Sequence, residues 1–123
     1  MMLKTIGLVA ALVLGSAVPA MAQSMCSSPI APAAVDGGTA TTAQMSAAHD
    51  DVTTFLKQSD DYQTCVLKEF NDAKTAALAA KKDVDPALVA ATDSKIKANQ
   101  SLKEKVGAEF NASVLAYKAK HPS

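Results

Sequence analysis

Apolar side chains recur at steps of three and four along two stretches of this chain, a spacing that places them on one face of a helix. The first stripe contains Met45, Ala48, Val52, Phe55, Leu56, Tyr62, Val66, Phe70, Ala73, Ala77 and Ala80, with Ser59 at its one polar position. The second stripe contains Leu88, Thr92, Ile96, Asn99, Leu102, Val106, Phe110, Val114 and Tyr117. The pattern therefore predicts an all-α chain with two amphipathic helices.

The residues that flank the two stripes predict where the helices begin and end. Thr41 and Gln44 have the spacing of a capping box, which marks a helix start. Asp85 followed by Pro86 is typical of an N-cap with proline in the first turn. We therefore predict helices at residues 42–81 and 86–119, within a helical unit at residues 42–123.

Two long helices joined by a short turn are expected to pack antiparallel, as a hairpin with coiled-coil-like contacts. With the turn at residues 83–85, Phe70 would lie opposite Ile96, and Val52 opposite Val114. Residues 42–72 hold six acidic residues and two lysines, whereas residues 95–120 hold six lysines and two glutamates, and this opposite charge supports the antiparallel pairing. A homodimer, in which two hairpins form a four-helix bundle, is compatible with this fold.

The first 22 residues have the features of a signal peptide. Lys4 precedes an apolar run from Ile6 to Leu14, and Ala20-Met21-Ala22 is a small-x-small cleavage signal. We therefore expect cleavage after Ala22 and a periplasmic protein. The alternatives are a retained membrane anchor, for which the apolar run is short, and lipidation at Cys26, whose preceding residues lack the usual small and aliphatic pattern.

Residues 23–41 are predicted to form an extended strap, because Pro29, Pro32 and the turn signal Asp36-Gly37-Gly38 exclude a helix. The strap ends at the first helix and is long enough to run back along it to Cys65. Cys26 and Cys65 are the two cysteines of the chain, and an oxidising compartment favours their pairing. We predict a Cys26–Cys65 disulfide. The alternative is an unpaired Cys65 packed as a small apolar residue.

Composition and charge restrict the classes of partner that the protein is expected to bind. The net charge is zero for the full chain and close to −1 after cleavage, and arginine is absent. Neither feature is typical of a nucleic-acid-binding protein. We expect no nucleic acid, no transmembrane segment in the mature chain, and an unidentified protein or envelope partner.

Several segments together resemble a known group of proteins. They are the Cys-then-Pro leader, "DGGTATTAQM", "SDDYQTC" and the ending "NQSLKEKVGAEFNASVLAYKAKHPS". The chain resembles a group of small, exported, uncharacterised helical proteins from alphaproteobacteria. The resemblance covers nearly the whole mature chain and implies compartment and architecture. It implies no activity, cofactor or catalytic residue.

Candidate chemistry is sparse. Met45 and His49 lie one helical turn apart and could hold a soft metal such as Cu(I), with Met25 on the strap as a third ligand. The competing interpretation, which we favour, is that Met45 belongs to the core and His49 to its boundary, so that no metal or cofactor is expected. The acidic pairs Asp50-Asp51, Asp60-Asp61 and Asp83-x-Asp85 lack the spacing of a calcium loop.

No catalytic constellation is evident. Tyr62, Asp61 and Lys105 could be imagined as an acid and base set, but no nucleophile with an activating base accompanies them. Tyr62, Asn99 and Gly107 are therefore assigned structural roles: Asn99 needs a buried partner, for which a strap carbonyl is a candidate, and Gly107 marks a close backbone approach.

Three functions from different classes remain. The leading hypothesis is a non-enzymatic binding or structural module of the periplasm. The second is copper or other soft-metal handling through Met45 and His49. The third is a carrier of apolar or lipidic ligands, opened by the strap near Ala76–Ala80.

Overall fold

Helix α1 (Thr42–Ala79) begins at a complete capping box. In a computed structural model, which describes residues 24–123, the Thr41 hydroxyl accepts a hydrogen bond from Gln44 N, and the Gln44 side chain accepts one from Thr41 N. These two bonds satisfy backbone donors that the first helical turn leaves free. The predicted signal peptide and its cleavage site lie outside the described residues.

The end of α1 is a Schellman motif built on a lysine. Lys81 has φ 54°, and Lys81 N and Lys82 N donate to the carbonyls of Leu78 and Ala77 at 3.0 and 2.8 Å. A left-handed residue at this position is usually glycine, because a Cβ disfavours positive φ. The turn is therefore closed at some conformational cost to Lys81.

Helix α2 (Pro86–Lys120) begins where predicted. Asp85 is its N-cap, and the Asp85 carboxylate accepts a hydrogen bond from Ala87 N at 2.9 Å. α1 and α2 pack against each other as an antiparallel hairpin, and the described residues contain no strand. The predicted fold is confirmed, with helix ends within two residues of the predicted ones.

The core lies between the two predicted stripes. Phe55, Val66 and Val106 are the most deeply buried apolar side chains, and Met45 also belongs to the core. Most other stripe residues are half-buried, because a two-helix interface shields only one side of each helix. Ala80, which we had placed in the stripe, is exposed in the turn.

The predicted helix register is wrong by about two turns. It would place Tyr117 near residue 50 and Asn99 near residue 68. Instead the Tyr117 hydroxyl lies 2.5 Å from Thr42 Oγ1, and Asn99 bonds Ser59. Residues 82–85 are not helical, and an extended residue advances about 3.3 Å against 1.5 Å in a helix. This segment therefore contributes to the displacement of α2 along α1.

The strap runs back along the hairpin, as predicted, and the Cys26–Cys65 disulfide is present. Pro29, Pro32 and Val35 are half-buried, whereas Ile30 is 91% exposed. Pro29, Pro32 and Val35 recur at every third residue, the period of a polyproline II helix, so they share the face that lies against the helices while Ile30 faces away.

Candidate functional site

A tight turn redirects the strap just before α1. The Asp36 carbonyl accepts hydrogen bonds from Thr39 N and Ala40 N, and the Asp36 carboxylate accepts one from Gly38 N at 2.9 Å. An aspartate that bonds the backbone two residues ahead is typical of such turns. Ala40 is buried in this turn, and from the turn the strap extends along the hairpin.

The turn is seated directly on α2. A Cβ at Gly37 would lie 1.8 Å from the Ser113 carbonyl oxygen, so only glycine permits this approach. The Ser113 hydroxyl donates a hydrogen bond to the Val35 carbonyl at 2.5 Å. The close approach that we had assigned to Gly107 occurs here instead, since a Cβ at Gly107 would meet nothing within 4 Å.

The other end of the strap is attached near the middle of the hairpin. Next to the disulfide, the Glu69 carboxylate accepts hydrogen bonds from the Ser24 hydroxyl at 2.8 Å and from Met25 N at 2.7 Å. These two bonds, the Ser24 one first, lower the pKa of Glu69, because they stabilise its charged form. The strap is thus fixed at both ends.

Between these attachments the strap backbone makes no hydrogen bond to either helix within the described chain from Ser27 to Ala34. Pro29 and Pro32 have no N–H to satisfy, which reduces the number of free donors. The middle of the strap is therefore held by packing alone.

A groove of about 480 Å³ opens between the strap and both helices at the α1 N-terminal end. Its apolar lining consists of Pro32, Ala33, Ala34, Val35, Ala40, Ala47, Ala48, Val52, Val106 and Phe110. Its volume lies in the range of small-molecule sites. The sequence patterns did not predict it, because it forms only where three separate segments meet.

The polar lining of the groove is mostly acidic. Asp36, Asp51 and Glu109 line it together with Gln44 and Thr39, and the set includes no lysine or histidine. Lys105 Nζ lies 3.7 Å from Glu109 Oε1, one turn earlier in α2. The groove therefore combines an apolar lining with negative charge.

A buried polar cluster lies farther along the interface. Asn99, which is 4% exposed, donates to the Ser59 hydroxyl at 3.2 Å and accepts from the Gln63 amide at 2.8 Å. Asn99 is thus buried and hydrogen-bonded, and its partners are on α1 rather than on the strap. The strap carbonyl is bonded by Ser113, which lies on the same face at a spacing of seven residues from Val106. This spacing is the signal that could have identified Ser113.

The three proposed copper ligands do not meet. Met45 is a core residue, whereas the His49 side chain is 65% exposed and lies against the Phe110 ring. Met25 bonds Glu69 through its backbone, and from residue 45 to residue 69 along α1 is about 36 Å at 1.5 Å per residue. Met25 is therefore too far from Met45 to complete a site with it.

The acid and base set proposed around Tyr62 is also not assembled. Asp61 pairs with Lys57, and Lys105 with Glu109, each within one helix. Tyr62 is half-buried and lines two shallow depressions beneath the strap, beside Ser28. Its position agrees with a packing role.

The acidic pairs that the sequence shows each have a residue with its own partner, so they do not form a common site. Asp60 bonds Lys103 across the hairpin, Asp50 lies 3.5 Å from its neighbour His49, and Asp85 caps α2. The sulfur atoms of Cys26 and Cys65 and the carboxylate of Glu69 lie within 4.8 Å of one another. Both sulfurs are bonded in the disulfide and so are not thiolate ligands.

Fold and groove together define a class: a disulfide-closed helical hairpin with an N-terminal strap that forms one wall of an apolar, acidic groove. Comparison with protein-family models, with curated proteins and with solved structures finds no match. Neither helix of the described chain is long and apolar enough to cross a membrane.

Proposed function

We propose that this chain is an exported, non-enzymatic binding module of the bacterial periplasm, and that the groove between strap and hairpin is its ligand site. The disulfide fits export, because such bonds persist in oxidising compartments. The groove is the observation that carries the proposal, since its apolar lining and volume suit a small ligand.

Two features support binding at this place rather than elsewhere. The strap wall is fixed at both ends, by Gly37 and Ser113 at one and by the disulfide at the other. A wall held in this way does not have to be ordered by the ligand, which lowers the entropic cost of binding. The alanines at Ala76–Ala80, where we first placed a carrier opening, are mostly exposed and lie at the other end of the hairpin.

Titration with the neutral apolar dye Nile red tests the proposal. We expect saturable binding to one site, seen as a rise in dye fluorescence, because the groove shields the dye from water. Ala48→Trp should abolish it by filling the groove. Ala76→Trp, on an exposed position outside the groove, is the matched control and should leave binding intact. Dye binding that Ala48→Trp leaves unchanged would refute the groove as the site.

Export is tested by the mass of the protein isolated from cells without reduction. We expect residues 23–123, two protons lighter than the reduced chain, because cleavage after Ala22 leaves both cysteines to pair. A mass that includes residues 1–22 would contradict export by a cleaved signal peptide.

We propose self-association as a further property of the module. The described part of the strap reaches Glu69, and residues 70–96 (the distal half) carry the exposed apolar side chains Leu78 and Val89. A second hairpin packed there would complete a four-helix bundle. Sedimentation equilibrium should show a dimer that Leu78→Lys with Val89→Lys disrupts, while Leu115→Lys, an equally exposed leucine of α2, leaves it unchanged. A monomer at all concentrations would contradict this.

A further inference from the structure

The groove is negatively charged, which restricts the ligands that it can bind. Its lining includes the carboxylates of Asp36, Asp51 and Glu109 and no basic side chain. Asp36 already accepts a hydrogen bond from Gly38 N, which leaves Asp51 and Glu109 as the carboxylates open to a ligand. An anionic ligand would meet like charges at this site.

Asp51 is the carboxylate with the fewest internal partners. In the described chain it makes no hydrogen bond and no ion pair. Glu109 is half-buried and pairs only with Lys105, at 3.7 Å. Long i,i+4 pairs of this kind contribute little and exchange readily with another cation.

The apolar side of the groove suits the body of such a ligand. Val52, Val106 and Phe110 lie on the two helices, and Pro32 and Val35 on the strap. An aromatic ring beside carboxylates favours a cation over a neutral group of the same shape, because the ring face is electron-rich. Apolar contact and charge therefore select the same kind of molecule.

We propose that the groove binds a small organic cation, an ammonium group carried on an apolar body, with the ammonium placed between Asp51 and Glu109. This inference rests on the groove being the ligand site of the module. The volume of about 480 Å³ lies in the range of sites that take free small molecules.

The test compares three probes that share one apolar body: phenylbutylammonium, phenylbutanol and phenylbutyrate. Binding to the full mature chain is followed by NMR shifts of the amides of Ala48, Val52 and Phe110. We expect the cation to bind about five- to tenfold more tightly than the alcohol, as two partly exposed charge pairs would give, and the anion to bind most weakly. The advantage of the cation should shrink as salt is added.

A pair of isosteric double variants separates local from general electrostatics. Asp51→Asn with Glu109→Gln should lower the affinity for phenylbutylammonium to that for phenylbutanol. The affinity for phenylbutanol itself should not change. Asp72→Asn with Glu104→Gln makes the same change of net charge outside the groove and should keep the preference. None of the four substituted residues is buried.

The outcomes distinguish this inference from the proposed function. Equal affinities for the cation and the alcohol at the groove would overturn the cation inference and leave the groove as a general apolar site. Loss of the preference in both double variants would also overturn it. Absence of shifts at the groove amides with every probe would overturn the inference and the proposed ligand site together.

Discussion

Gly37 and Gly107 have opposite surroundings. Gly37 sits against the backbone of α2, whereas Gly107 has free space around its Cα. A glycine in a helix interior weakens the helix, so a glycine without a steric reason is a position for improvement. The two residues provide a matched pair of substitutions.

We expect Gly37→Ala to destabilise the fold by about 1–3 kcal/mol and Gly107→Ala to stabilise it by up to about 1 kcal/mol. At Gly37 the new Cβ would displace the turn from α2 and break the Ser113 bond to Val35. Urea unfolding followed by circular dichroism measures both changes. The same sign of change in both variants would contradict the assignment of the close approach to Gly37.

Asn99 illustrates how one buried amide depends on its partners. Asn99→Leu removes the partner of the fully buried Ser59 hydroxyl and should cost about 1–3 kcal/mol. Adding Ser59→Ala should recover part of this loss, because both polar groups are then gone. Urea unfolding of the single and double variants decides the point, with the exposed Asn71→Ala as control. Strictly additive losses would indicate that the two side chains do not interact.

At the scale of elements, the helices end at defined caps, and one of these caps is not optimal. Lys81 adopts φ 54° to close the Schellman motif of α1, a conformation that costs a residue with a Cβ free energy. The cost is local and does not depend on the packing of the strap.

Lys81→Gly should therefore raise the free energy of unfolding by about 0.5–1 kcal/mol. Part of the conformational gain is offset by the greater freedom of glycine in the unfolded chain. Lys82→Gly, one residue later, where φ is not positive, is the control and should give no gain. Thermal unfolding measures the difference, and an equal effect at both positions would contradict this explanation.

The strap is the second element, and its outer end responds to acid. The Ser24 and Met25 bonds lower the pKa of Glu69, so they stabilise the attachment above the unfolded-state pKa and are lost as pH falls through the lower, folded-state pKa. Ser24→Ala should raise the NMR titration midpoint of the Glu69 carboxyl, while Ser28→Ala should not. An unchanged midpoint in Ser24→Ala would show that the hydroxyl does not stabilise the charge.

At the scale of the whole molecule, the disulfide compensates for a thin core. Few apolar side chains of the described hairpin are fully buried. A two-helix unit of this size therefore has little apolar contact with which to hold the strap in place. The bond closes a loop with a sequence separation of 39 residues and restricts the unfolded chain.

Cys26→Ser with Cys65→Ser should lower the free energy of unfolding by about 3–4 kcal/mol in the chain-entropy model, while the helical circular dichroism persists at low temperature. Nile red affinity should fall as well, because the strap wall of the groove is then held only at Gly37 and Ser113. Reduced wild-type protein should behave in the same way. Unchanged dye affinity in the variant would show that the strap does not shape the site.

The local signals in the sequence were sufficient for much of this fold. Capping residues such as Thr41 and Asp85 act on their own helix turn, and the apolar period identifies the buried face, so both could be predicted. The Cys26–Cys65 bond could be predicted because the chain has two cysteines and the strap is long enough to join them. The groove could not be predicted, because no residue spacing encodes the gap left among three segments.

By itself, then, the sequence determined the helices, their buried faces, the antiparallel pairing and the strap with its disulfide, since each depends on local chemistry or on chain length. Only the tertiary structure decided the helix register, the outward direction of Ile30, the seat of Gly37 on α2 and the acidic groove. These features arise from side chains far apart in sequence that must fit the same space. Their arrangement depends on packing between segments, which the period of any one segment does not specify.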